Sequence, residues 1–412
     1  MAVIVPFKAL RPHKKYVKAV ASLPYDVVSE EEARRIAAGN DFSFLHVEKS
    51  DIDLSPGIAA HDRSIYDMAK RNLDKLIREG VLFQEKKACF YIYCQGMKGF
   101  RQYGIVGGVK VAEYETGKIK KHELTREDKE IDRILHVDRV NAHTGPVFLT
   151  YRVRPAIDRL VEEVIKSVPE YDFVNGDGIS HTVWTVEEER VIAAIIREFA
   201  GIDSLYIADG HHRAAAAAAV ARMRREKDPG VGNAEYENIM AVLFPHRQLK
   251  ILDYNRVVKD LRGLSAAEFM ERCEKDFILS PDFCDRSPRR FHEFGMYLGG
   301  KWYKLAAKAG AYDESDPVGR LDVSILQERL LGPVLSVHDA RTSKRIEFVG
   351  GVRGMEELER LVDSGEFSVA FALYPPTVEQ LMEAADAGRF MPPKSTWFEP
   401  KLRSGIFTHL LE

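Results

Sequence analysis

SLYIADGHHRAAAAAAV (Ser204–Val220) passes from a short apolar run through Asp-Gly-His-His-Arg into six alanines. Ser204–Ala208 reads as a strand, because β-branched and aromatic residues crowd it, and residues 213–226 read as a helix, because alanine has the best helix propensity. This Asp-Gly-His-His-Arg pentapeptide therefore falls on a strand-to-helix turn, where backbone N–H groups and the positive end of a helix face a bound anion. Gly210 permits close backbone approach and a conformation that other residues resist. Asp209 caps the helix or reaches a metal ion or hydroxyl, Arg213 clamps phosphate oxygens in a bidentate way, and His211 and His212 add donors whose charge adjusts near neutral pH. The plainer alternative is a tight Asp-Gly turn with packed histidines. Zinc is disfavoured: adjacent histidines point apart, and no HExxH or cysteine pair completes a ligand set.

Outward from this turn, 412 residues exceed one ordinary core and suggest several domains. A hydrophobic content of 45%, a charged content of 30% and a net charge of −3 describe a folded globular chain without broad attraction to nucleic acid or anionic membrane. Cys89, Cys94, Cys273 and Cys284 form no CxxC pair and read as reduced thiols. No signal layout opens the sequence and no run reaches the ~18 apolar residues of a membrane span, so a cytoplasmic protein is expected.

Three regions are expected: an N-terminal α+β region over 1–110, a core over 111–255 with an insertion near 155–200, and a C-terminal α+β region over 256–412. In the first, residues 59–80 read as a helix ending at Gly80, and ACFYIYCQ and QYGIVGGVKVAEY read as strands joined near Gly96–Gly99. The glycines of YGIVGG are no dinucleotide fingerprint, because strand-like residues follow where a helix should start. In the second, KKHELTREDKEIDRILHVDRVN is helix-compatible, GPVFLTYRV is a strand, and 155–167 and 186–200 are helical. Arg222, Arg224, Arg225 and Lys227 suit a helix C-terminus. In the third, 318–331 and 378–387 read as helices and FSVAFALYP as a strand.

His122-Glu123 in KHELT, an arginine-bearing helical stretch, a Gly-Pro-Val strand and the DGHHR turn follow one another in an order that resembles the ParB/sulfiredoxin superfamily, in particular its free serine kinase branch. With PYDVVS (24–29), YIADGHHRAAA (206–216) and MPPKSTWFEPKLRSG (391–405), the whole chain is similar to the unknown-function family ten-fifteen. The kinase resemblance covers about 112–225 and implies an α+β fold with a nucleotide-binding core. It also implies that Glu123, with His122, supplies the catalytic base, that Asp209, Gly210, His211, His212 and Arg213 hold the phosphates of ATP or ADP, and that free L-serine is the foremost acceptor. The two helices read within 155–200, and the added terminal regions, depart from the minimal kinases.

Chemistry is consistent with that assignment, since phosphoryl transfer needs an aligned donor, neutralised charge and a carboxylate near the attacking oxygen. Mg²⁺ needs only one or two protein carboxylates, and Asp209 is a candidate. For an amino-acid acceptor, Lys394, Ser395 and Thr396 are candidate carboxylate contacts; the alternative is that PPKSTWFEP is a covering strand packed by Trp397 and Phe398. Tyr25 and Asp26 line the pocket or merely form a turn. A second class is a ParB-like nucleotide-binding regulator associated with DNA or a partner, disfavoured by the lack of basic surplus. A sulfiredoxin-like reaction lacks a cysteine near the turn, Cys273 being the nearest after it in sequence. A homo-oligomer is left open.

Overall fold

The motif strand Leu205–Asp209 lies near one end of a nine-stranded sheet, and its position follows from its neighbours. A computed structural model of the chain describes residues 2–227 and 234–412. The chain divides into two compact units: Met1–Lys121, Thr125–Leu249 and Pro400–Glu412 form the first, and His122–Leu124 with Lys250–Glu399 form the second. Both are mixed α/β assemblies. Among the described residues, no helix is long and apolar enough to cross a membrane.

In the first unit the strands run in the order Ile119–Lys120, Leu205–Asp209, Val147–Tyr151, Asn238–Pro245, Phe100–Lys110, Phe90–Met97, Ser180–Val186 and Tyr171–Val174, with Ile4–Val5 joining Phe100–Lys110. Val147–Tyr151 is parallel to Asn238–Pro245 and antiparallel to the motif strand. The hairpin of Phe90–Met97 and Phe100–Lys110 turns through Lys98 and Gly99, both at positive φ. Gly104 and Gly107 lie within this sheet where a Cβ would come within 2.7 Å of Phe244 and Phe90 respectively, so their lack of a side chain is a packing requirement.

The stretch 155–200 holds the helices Pro155–Val164 and Glu189–Phe199, as its apolar periodicity predicts. Between them, Tyr171–Val174 and Ser180–Val186 extend the sheet. KHELT is not helical; the helix starts at Glu127 and ends at Val140, where Asn141 takes the left-handed conformation that stops helices. It packs on the motif helix His211–Lys227. Ala214, Ala217, Ala218 and Ala221 are buried in the core beside Leu149, Ile207 and Leu243, so the polyalanine run lets this helix approach closely. Arg224 pairs with Asp138 at 3.6 Å, and Arg225 with Glu115 at 3.1 Å, so the basic end of the helix is engaged.

Residues 400–412 also belong to this unit. Ser404 bridges to Ser22, Thr408 to Leu10, and His409–Leu410 pairs with Ala142–His143.

The second unit centres on a six-stranded antiparallel sheet in the order Phe277–Ser280, Lys301–Ala307, Glu293–Leu298, Val369–Leu373, Tyr254–Val258 and Ile346–Gly350. The helix Met355–Asp363 packs its Leu358 and Leu361 against Val257, Tyr297 and Ala370. Lys250–Leu252 pairs with Trp397–Glu399. The segment read as one helix over 318–331 is α-helical only at Asp322–Leu326 and then widens into a π-turn over Gln327–Leu331. All four cysteines are free.

Candidate functional site

The motif turn is shaped by an irregularity in its strand. Ile207 pairs with Leu149 and Asp209 with Phe148, so the register shifts at Ala208 and redirects the strand end. Gly210 then adopts φ +92°, a region costly for residues with a Cβ, and a Cβ there would meet Arg213 at 3.2 Å. The helix begins at once with His211.

Both oxygens of Asp209 are engaged: Oδ1 accepts from the Gly210 amide at 2.8 Å and Oδ2 from Lys401 Nζ at 2.9 Å. Burial pushes the Asp209 carboxyl up, but the charges of Lys401 and Arg213 outweigh it and hold the group well below the usual carboxylate range. Asp209 is thus a fixed anion framed by two cations. Lys401 carries no local sequence signal; the returning C-terminal segment delivers it. Arg213 donates through Nη1 to the Pro146 carbonyl, and its Nη2 stands 4.0 Å from Asp26. Its Nε is buried and makes no hydrogen bond among the described residues. The Gly-Pro-Val strand and the DGHHR turn, read separately in the sequence, are joined by this contact. His211 is buried, whereas His212 turns its Nε2 to accept from the Arg126 amide at 3.0 Å, which puts the ring proton of a neutral His212 on Nδ1.

Behind Arg213 lies a buried polar layer. Arg133 pairs with Glu48 at 3.3 Å and Asp132 at 2.7 Å, and its guanidinium sits 3.9 Å from the Tyr25 ring centroid. Tyr66 donates to Asp132 at 3.0 Å. A cavity of about 20 Å³, enough for one water, is lined by Glu48, Arg133, His136, His143, Thr144 and Arg213, among others. Tyr25 and Asp26 therefore stand in the same unit as the turn, Tyr25 stacked on Arg133 and Asp26 as a counter-charge to Arg213. Burial, then the Asp26 charge, pushes the Tyr25 phenol up, so it stays protonated.

The remaining sequence candidates meet in the second unit. His122 is 1% exposed, its Nε2 is 3.3 Å from Thr396 Oγ1, and its carbonyl accepts from the Met391 amide at 2.8 Å. Ser395 is buried and donates to the Pro392 carbonyl at 2.5 Å. Lys394 is exposed and left-handed at φ +56°. Arg256, 3% exposed, donates to the Lys394 carbonyl at 3.0 Å and the Pro393 carbonyl at 3.3 Å. Burial draws Arg256 down to about 10, while Tyr254 and the nearby Glu123 carboxylate act in the opposite direction. Arg256 escaped the sequence reading, although a lone arginine in the apolar strand YNRVV was a usable signal. Trp397–Glu399 is a short strand paired with Lys250–Leu252, and its Trp397 packs edge-on to Tyr254 with centroids 5.0 Å apart.

Among solved structures, a mutant free serine kinase in complex with AMP is similar over 71% of this chain and 87% of its own, at 16% identity and a TM-score of 0.39. A conserved hypothetical protein from Pyrococcus furiosus is similar over 74% and 95%, at 17% identity and 0.38. SbnI with a C-terminal truncation from Staphylococcus aureus is similar over 73% and 85%, at 12% identity and 0.36. At these values the likeness fixes neither chemistry nor substrate. No curated protein matches the chain in sequence. A family profile covers residues 4–324, from the first strand through the motif turn and into the second unit, and the chain belongs to that family, described as Protein of unknown function (DUF1015).

Proposed function

We propose that the chain is a small-molecule kinase that moves a phosphoryl group from ATP or ADP to a hydroxyl metabolite, free L-serine foremost, giving O-phosphoserine. The observation that carries the proposal is the cationic strand-to-helix turn. Lys401 and Arg213 frame Asp209 at the start of a helix of 17 residues, and Arg213 keeps a buried, unengaged N–H. Such an arrangement suits phosphate, which asks for charge-assisted donors and a helix N-terminus.

In this proposal Asp209, Gly210, His211, His212 and Arg213, with Lys401 added, hold the donor phosphates. The acceptor oxygen attacks the terminal phosphorus, the bond from that phosphorus to its bridging oxygen breaks, and ADP leaves from ATP, or AMP from ADP. The acceptor proton passes to Glu123, with His122 beside it in the chain. Lys394, Ser395, Thr396, Tyr25 and Asp26 are proposed acceptor contacts. Mg²⁺, when bound, supplies further neutralisation of phosphate charge, with Asp209 as the proposed carboxylate. A ParB/sulfiredoxin-like core over 111–255 belongs to the same proposal.

The test is a phosphoryl-transfer assay with Mg²⁺, in which ATP and ADP are offered separately with a panel of hydroxyl metabolites led by L-serine. Wild type should form phosphoserine. Glu123→Gln should bind nucleotide normally and turn over about 10²–10⁴ more slowly, the usual cost of losing a general base. Saturable nucleotide binding with no product from any acceptor would replace the kinase with a nucleotide-binding regulator. Wild-type turnover in both Glu123→Gln and Arg213→Ala would remove the site assignment altogether.

A further inference from the structure

A second cavity in the first unit has a different chemistry. Its volume is about 260 Å³, just below the ~300–1,000 Å³ typical of drug-sized ligand pockets. Tyr103, Tyr151, Asp158, Val161, Glu162, Ile165, Pro245 and Gln248 line it, without a lysine or arginine among them.

Regular structure fixes most of this lining. Tyr151 and Pro245 are register partners in the parallel pair of strands. Asp158 and Glu162 are four residues apart, so they share a face of Pro155–Val164, and Val161 and Ile165 supply the apolar wall from the same segment. Gln248 is held by the Tyr103 amide, which donates to its Oε1 at 2.8 Å. The cavity is also separate from the phosphate turn. Phe148, not Tyr151, stands opposite Asp209, and Tyr151 lies three residues along the strand, about 10 Å away at the usual strand rise.

Two polar side chains here have no protein partner for their polar atoms. Tyr151 is 1% exposed and lines the cavity, and its hydroxyl makes no hydrogen bond to protein among the described residues. A hydroxyl at a cavity wall without a protein partner is left to meet water or ligand. Asp158 is half-buried, and its carboxylate makes no ion pair or hydrogen bond among the described residues. Burial and then the Glu162 charge push its carboxyl up, against the smaller opposing effect of the Arg159 charge.

We propose that this cavity binds a small organic ammonium ion, its N–H groups donating to the Asp158 carboxylate and the Tyr151 hydroxyl oxygen, its charge facing the tyrosine rings and its alkyl part lying against Val161, Ile165 and Pro245. Each feature has a separate counterpart in such a ligand: an acid for the charge, an aromatic face for the cation, an acceptor for an N–H and an apolar wall for the stem. An anion meets two carboxylates there, and a neutral alcohol leaves Asp158 without its counter-charge.

The experiment titrates the full chain with n-butylammonium, n-butanol and n-butyrate by saturation-transfer NMR, in wild type, Asp158→Asn, Tyr151→Phe and Glu162→Gln. Saturable binding of butylammonium is expected, with butanol and butyrate much weaker. Asp158→Asn should weaken the amine by about tenfold or more, the loss of one charge-assisted hydrogen bond, and Tyr151→Phe by a few-fold. Glu162→Gln, at the exposed rim of the same lining, tests the charge requirement should either of the more buried variants fail to fold, and it should weaken the amine by a few-fold. Butanol binding as tightly as butylammonium, unchanged amine affinity in the folded charge variants, or no saturable amine binding by wild type would each overturn the proposal. Because the nucleotide turn is untouched, the outcome is independent of whether the chain is a kinase.

Discussion

Replacing Lys401 by methionine removes a cation from beside Asp209 while keeping most of the side-chain volume. At 2.9 Å the pair attracts by about 6 kcal/mol at an effective dielectric near 20, before the desolvation of both groups is subtracted. Leaving one buried partner alone costs about 3–5 kcal/mol in general. Asp209 keeps 25% of its side chain in solvent and Lys401 keeps 10%, so the lower end, about 3 kcal/mol, is expected for Lys401→Met at pH 7. The pH dependence follows from sign. The Asp209 carboxyl is depressed in the folded state, so its stabilisation is complete above the ordinary carboxylate range and is lost as pH falls through the lower folded value. In the variant that carboxyl rises, so the penalty should shrink on acidification. Urea titrations from pH 7 to 4 measure this through the fluorescence of Trp184, the first unit's tryptophan. Adding Asp209→Asn to Lys401→Met should recover part of the loss. A penalty below about 1 kcal/mol at pH 7, or no recovery in the double variant, would refute a desolvated pair at the turn.

Arg213→Ala should weaken nucleotide binding by about tenfold or more, measured by calorimetry, because it removes the buried Nε donor. Gly210→Ala should destabilise the first unit by about 1–2 kcal/mol in the same urea assay, since alanine resists φ +92°. His181 is fully buried, hydrogen-bonded to the Tyr93 hydroxyl at 2.7 Å, and held down to about 3 by burial and then by Arg403. It folds neutral, so its contribution is complete above pH ~6.5 and is lost as pH falls from there towards about 3. His181→Phe should flatten the stability profile in that window, and an unchanged slope would show that the ring protonates freely in the folded chain.

The sequence carried the motif turn well because its signals are local. The strand ends at Asp209 rather than Ala208 because the bulge draws the aspartate into the ladder, and the helix starts at His211 rather than Arg213 because the histidines complete its first turn. The glycine-turned hairpin before it was legible for the same reason. Tyr171–Val174 and Ser180–Val186 were not, since a short apolar run between helical patterns becomes a strand only when a sheet edge such as Phe90–Met97 receives it. Nor could spacing reveal that Lys401 meets Asp209, or that His122 meets Thr396, since both contacts depend on tertiary return of the chain. Arg256 was visible as an anomaly, but its role as anchor of the Pro393–Lys394 carbonyls was not.

The return of Pro400–Glu412 to the first unit also sets an order of events during synthesis. Domains fold largely as they emerge, N-terminal parts first. The first unit, although it supplies most of the early sequence, lacks Lys401 and the bridges of Ser404 and Thr408 until the whole second unit has been made. Asp209 therefore waits for the Lys401 charge through the translation of Lys250–Glu399, and this pair at the motif turn forms only after the second unit has been made. A chain stopped after Glu399 would retain every residue of the second unit and every letter of DGHHR, yet leave the turn without the lysine that holds its aspartate.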